Sequence, residues 1–137
     1  ITMNITQITD IVKDAFTHPT VNTTIAASVQ TLNSRTDIEY GVSVVDIVDA
    51  RINDGYISVS YRIYVLDRMQ TNESFPIRLW DWGVNVATHA YSVLTNRDEL
   101  SDVDFGVVNF IEQDFGDVLG GVVVDLVVSY PYEIECL

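Results

Sequence analysis

The residues with most chemistry to offer in this chain are its carboxylates, and they come in two runs. Asp98, Glu99, Asp102 and Asp104 make the first; Glu112, Asp114 and Asp117 make the second. Grouped carboxylates suit cation binding or acid–base cleavage of a glycosidic bond. The first run lacks the alternating carboxylates and central glycine of a calcium loop. Neither run has a cluster of sugar-stacking aromatics beside it, so both read as solvated turns. The two histidines, His18 and His89, have no Cys, Asp or Glu at metal-ligand spacing. Cys136 is the single cysteine, close to the end of the chain, and no serine sits in a G-x-S-x-G setting. Gly120-Gly121 leads into a strand and not a helix, so it cradles no phosphate. No catalytic residue, cofactor or metal is expected, and the enzyme reading rests only on the acidic turns.

Composition sharpens this. Apolar residues make up 47% of the 137 positions, which supports a packed core rather than a disordered chain. Seven Lys and Arg face 20 Asp and Glu, a formal charge of -13. Such a field repels phosphate backbones, which argues against nucleic-acid readout. One cysteine permits no internal disulfide and fits a reducing compartment. No apolar run approaches the length of a membrane helix, so no membrane partner is expected.

The elements that would position side chains follow from periodicity. Residues 4–16 carry Ile5, Ile8, Val12 and Ala15 at helical spacing, with Asn4 as cap, and Pro19 stops the helix at His18. Residues 20–37 form a Thr-, Asn- and Ser-rich connector with Val21, Ile25, Val29 and Leu32 at intervals; a connector this long is often functional. Strands over 37–52 and 55–68 flank the turn Asn53-Asp54-Gly55. In the second, Ile57, Val59, Tyr61, Ile63 and Val65 alternate with Ser58, Ser60, Arg62 and Tyr64. A long helix begins near Pro76, with an apolar arc wider than one sheet requires. Trp80 and Trp82, two residues apart, point to opposite flanks of that arc. Strands near 103–111 and 121–130 close the chain. In the last, Val122, Val124, Leu126, Val128 and Tyr130 make an unbroken apolar face. Its other face, Val123, Asp125, Val127 and Ser129, is half apolar, which asks for cover from this chain or from another copy. The expected fold is α+β: one domain over 1–137, with a four-stranded, mainly antiparallel sheet, an N-terminal helix and one long helix packed on it.

Three stretches carry a resemblance. "HPTVN" (His18 to Asn22) follows the first helix, "YRIYVLDR" (Tyr61 to Arg68) ends a strand on an apolar-Asp step, and "DFGDVLGG" leads to a strand closed by "YPYEIECL". In this order they resemble the tail-terminator and neck-ring proteins of tailed bacteriophages. The resemblance implies a virion structural protein whose copies close into a six- or twelve-fold ring in the neck. Adjacent portal, neck and tail proteins would be its partners, with genome DNA passing through unbound and assembly occurring in the host cytoplasm. On that reading, Val21, Ile25, Val29, Leu32, Arg62, Tyr64, Trp80 and Trp82 are candidate subunit-interface residues. The alternative is an adaptor that binds one heterologous protein through its Trp-bearing helix.

Overall fold

A computed structural model describes residues 3–33, 39–69, 76–114 and 118–132. The order is α1 (Ile5–Ala15), β1 (Thr23–Ala26), a 3₁₀ turn (Val29–Asn33), β2 (Val42–Asn53), β3 (Tyr56–Arg68), α2 (Ile77–Thr95), β4 (Asp102–Asp114) and β5 (Val118–Pro131). The strands form one sheet in the order β1-β2-β3-β5-β4, antiparallel except for the β1–β2 pair. The architecture is therefore α+β with five strands where four were expected. The added strand is β1, inside the connector: Thr23 to Ala26 lies parallel to Val42 to Val45. Four residues without alternation give no strand signal of their own.

Local rules account for the other elements. The Asn4 side chain accepts from the Gln7 backbone N–H at 2.8 Å, and the Gln7 side chain accepts from the Asn4 N–H at 2.9 Å. This reciprocal cap satisfies two donors that a helix start otherwise leaves unpaired. At the β2–β3 hairpin Gly55 takes φ +86°, a conformation costly to residues with a Cβ. The helix α2 buries Leu79, Gly83, Val86, Ala87, Ala90 and Leu94, a stripe at three- and four-residue steps.

Both helices pack on one face of the sheet. There Val59, Tyr61, Ile63 and Val65 of β3 and Val122, Val124, Leu126, Val128 and Tyr130 of β5 form a core with Ile8, Val12, Phe16, Val86 and Leu94. The buried hydroxyl of Tyr61 shares a 2.9 Å hydrogen bond with Thr9 Oγ1, which removes the penalty for an unpaired polar atom. A smaller core lies on the opposite face: Val29 and Leu32 of the 3₁₀ turn cover Val42, Val44, Leu66 and Leu119. The connector thus covers this face of β5 only at its Leu119 end, and Val123 and Val127, the apolar residues of the half-apolar face, stay half-buried. Farther along β5 that face turns polar, where Ser129 Oγ pairs with Ser58 Oγ at 2.8 Å and Asp125 with Arg62 at 3.2 Å.

The contact between α2 and β5 is close because residue 83 has no side chain. A Cβ there would lie 2.7 Å from Val122 Cγ2. Gly83→Val should push the helix from the sheet and lower stability by about 1–3 kcal/mol, the usual cost of overpacking. A urea midpoint equal to that of the unsubstituted protein would show that the helix can shift freely at this point.

Candidate interaction surface

Polar chemistry is dispersed. The first acidic run leads into β4 and Glu112 lies near the other end of that strand, eight positions beyond Asp104 or about 25 Å. Asp102, Asp104 and Glu112 are all exposed. Asp114 contributes no described side chain, and Asp117 and Cys136 lie outside the described residues. Among the described residues no three His, Cys, Asp or Glu side chains gather to hold a metal ion. The concavities are shallow. One of about 370 Å³ on the open face is lined by Asp49, Arg51, Asn53, Tyr56, Ser58, Ser60 and Val127. Another of about 260 Å³ lies between the end of α2 and the start of β4. Among the described residues no helix is long and apolar enough to cross a membrane.

The histidines, far apart in sequence, meet in space. Their rings stand edge to face with centroids 5.0 Å apart, joining the chain after α1 to the outer side of α2. Burial first, and then the neighbouring His89, lowers the His18 pKa. The same locus receives Trp82, whose Nε1–H donates to Thr20 Oγ1 at 2.9 Å.

The candidate interface residues fall into three groups. Val21, Val29 and Leu32 are buried by their own chain, and Ile25 packs half-buried against the smaller core. Arg62 and Tyr64 lie on the face opposite the helices, Arg62 exposed and Tyr64 half-buried against the smaller core. The Arg62 guanidinium is paired across the sheet with Asp125, both sides about half exposed, an interaction contributing at most about 1 kcal/mol. The hydrogen bond to Asp125 raises the Arg62 pKa further. Trp80 and Trp82 do point to opposite flanks of α2. Trp82 turns to the connector, whereas Trp80 turns to β4, stacks on Phe110 at 5.1 Å and donates to the Ile111 carbonyl at 3.3 Å.

The exposed apolar side chains show a pattern that the sequence did not reveal. Among the described residues the large ones, apart from Ile5 and Tyr56, fall into two sets at opposite margins of the sheet. Ile47, Val48 and Ile52 lie where β2 outruns β1, and Tyr56 opens β3 across the hairpin from them. β1 stops opposite Val45, so, among the described residues, positions 46–53 of β2 have no strand on their outer side. Ile77, Tyr91, Val107 and Phe110 lie along α2 and β4, the other margin, where β4 is paired only with β5. Ile52 and Val107 are 77% and 72% exposed, high values for aliphatic residues in strands. Both margins carry a bulge, between Ile47 and Asp49 in β2 and between Phe105 and Val108 in β4. A bulge disrupts regular pairing with a stray strand while turning its own side chain outward. Val48 and Val107 are the residues so turned.

No known protein family matches the chain, and no curated protein is significantly similar to it.

Because these side chains touch little of their own chain, Ile52→Ser and Val107→Ser should each change folding stability by less than about 0.5 kcal/mol. A larger loss in thermal or urea unfolding would mark them as parts of the core.

Proposed function

We propose that this protein is a structural subunit that joins its own copies head to tail into a ring, and that the ring belongs to the neck or tail of a tailed bacteriophage. The observation that carries the ring is the pair of apolar margins. They lie at different edges of one sheet, three strand spacings or about 14 Å apart, so neither need be complementary to itself. Two unlike surfaces on one subunit suit a heterologous contact, which either closes into a ring or runs on as a filament. A two-fold dimer would bury one patch on both copies and leave the other wet.

Strand direction supports the same arrangement. From β2 to β4 the directions alternate, so β2 and β4 run oppositely. A neighbour related by simple rotation would present its β2 margin antiparallel to this β4. The margins are also diagonal: Ala50 aligns through Val59 and Val128 with Val103, whereas Phe110 aligns with Val122, six residues farther along β5. Bringing them together displaces the neighbour by about 20 Å along the strands. In a ring the strands would then be inclined to the axis, as they are in closed barrels.

The assignment to a phage neck draws on the ordered markers "HPTVN", "YRIYVLDR" and "DFGDVLGG…YPYEIECL" and on the charge of -13. A negative lumen lets DNA slide without adhering. The adaptor alternative uses one margin only, the Trp80–Phe110 surface, and leaves the β2 margin without a role.

A complementation assay separates these readings. Val48→Asp with Ile52→Asp disables one margin, and Val107→Asp with Phe110→Asp disables the other. Each variant alone should stay monomeric in native mass spectrometry at high concentration, while an equimolar mixture should give a one-to-one dimer that grows no further. Oligomers from either variant alone would contradict head-to-tail assembly. Since every copy is strongly acidic, assembly of the unsubstituted chain should increase as salt rises from about 0.05 to 0.5 M and screens the repulsion. A decrease with salt would mean that ion pairs, not apolar margins, join the copies.

A further inference from the structure

We propose that His18 is a pH-sensitive latch: its neutral ring holds the start of the connector on α2, and protonation loosens that hold. The hydrogen bonds fix the tautomer. The Thr20 backbone N–H donates to His18 Nδ1 at 3.2 Å, so Nδ1 carries no proton and the ring's hydrogen is on Nε2. Thr20 Oγ1 lies 2.7 Å from the same nitrogen and, with the backbone N–H already donating there, is placed to donate its own proton. That leaves Oγ1 free to accept from Trp82 Nε1–H, which it does at 2.9 Å. A directional chain results, from the α2 indole through Thr20 to the imidazole, closed by the 5.0 Å edge-to-face contact with His89 of the same helix.

A proton on Nδ1 reverses this logic. Nδ1 becomes a donor, the Thr20 N–H faces it without an acceptor, and Oγ1 must turn its own hydrogen elsewhere. The new charge also stands against His89. The charged or titratable groups on the surrounding elements are Lys13 and Asp14 in the last turn of α1, Asp81 and His89 on α2, and Asp67 at the end of β3, whose carboxylate accepts from Gly41 N–H at 3.2 Å. Of these, His89 is the one that acts on His18 to oppose its protonation, adding to the effect of burial. With the folded pKa below the ordinary histidine value of 6.5, the latch is intact above that pH and is lost as pH falls through the lower folded value. Released residues lead directly into β1, so acid should loosen the strand beside Val42 to Val45. The latch does not depend on the ring reading.

The test is an NMR titration from about pH 8 to 5, with Trp80→Phe used to assign the Trp82 indole. At the alkaline end the imidazole spectrum should show the Nε2–H tautomer of His18. The Trp82 Nε1–H signal should then shift with a midpoint equal to that of His18, below 6.5. His89→Gln should raise the midpoint and keep the shift. His18→Gln and Thr20→Val should each abolish it. An Nδ1–H tautomer, or a Trp82 titration that survives His18→Gln, would overturn the latch.

Discussion

A sheet of finite width ends in strands whose outer backbone groups have no strand partner, and this structure is organised around how its two margins meet that constraint. The middle strands pose no difficulty. β3 and β5 are paired on both sides and covered by helices on one face, where Val59, Ile63, Val122, Val124, Leu126 and Val128 have no measurable exposure. One face of the valine-rich final strand is hidden within its own chain, whereas on the other Val123 and Val127 stay half-buried and Asp125 is exposed. The surplus lies at the margins beside it.

Each margin is treated differently. On the β2 side the connector supplies β1, which pairs only as far as Val45, and the 3₁₀ turn, which plugs the back of the sheet with Val29 and Leu32. On the β4 side Trp80 folds over the strand, stacked on Phe110 and bonded to the Ile111 carbonyl. Bulges then interrupt what remains exposed. These features discourage indiscriminate strand addition, yet they leave apolar side chains outward at both ends. Blunted backbone with retained hydrophobic surface fits a selective contact between matched shapes better than open-ended sheet growth. The acidic surface, which repels unpaired copies, adds to that selectivity.

Much of this was legible in the sequence. The Asn4–Gln7 cap, the alternation from Ile57 to Val65, the Asn53-Asp54-Gly55 turn and the divergence of Trp80 from Trp82 each depend on neighbours a few residues away. What was not legible depends on distant residues or on a shift of register. β1 exists because β2 offers it an edge. Simple alternation puts Phe105 and Phe110 on opposite faces, five residues apart; the bulge at Gly106 and Val107 brings both to the helix side, opposite Leu126 and Val122. Ile47 and Ile52 are brought to one face by the bulge at Val48 in the same way. Gly106 was the one available hint of a bulge. The contact between His18 and His89 spans 71 positions and had no sequence signal. Conversely, Val21, Val29 and Leu32 stand out as apolar residues in a polar stretch and were expected at an interface between copies, whereas the structure buries them in the chain's own packing.

Covalent trapping would show whether the two margins of neighbouring copies meet. In a Cys136→Ser background, Ile52→Cys and Val107→Cys together place one thiol on each margin. Mild oxidation should yield a ladder of disulfide-linked oligomers ending in a closed species, while either single cysteine yields no more than monomer. Efficient dimers from one cysteine alone, or no ladder from the pair at high protein concentration, would contradict head-to-tail joining.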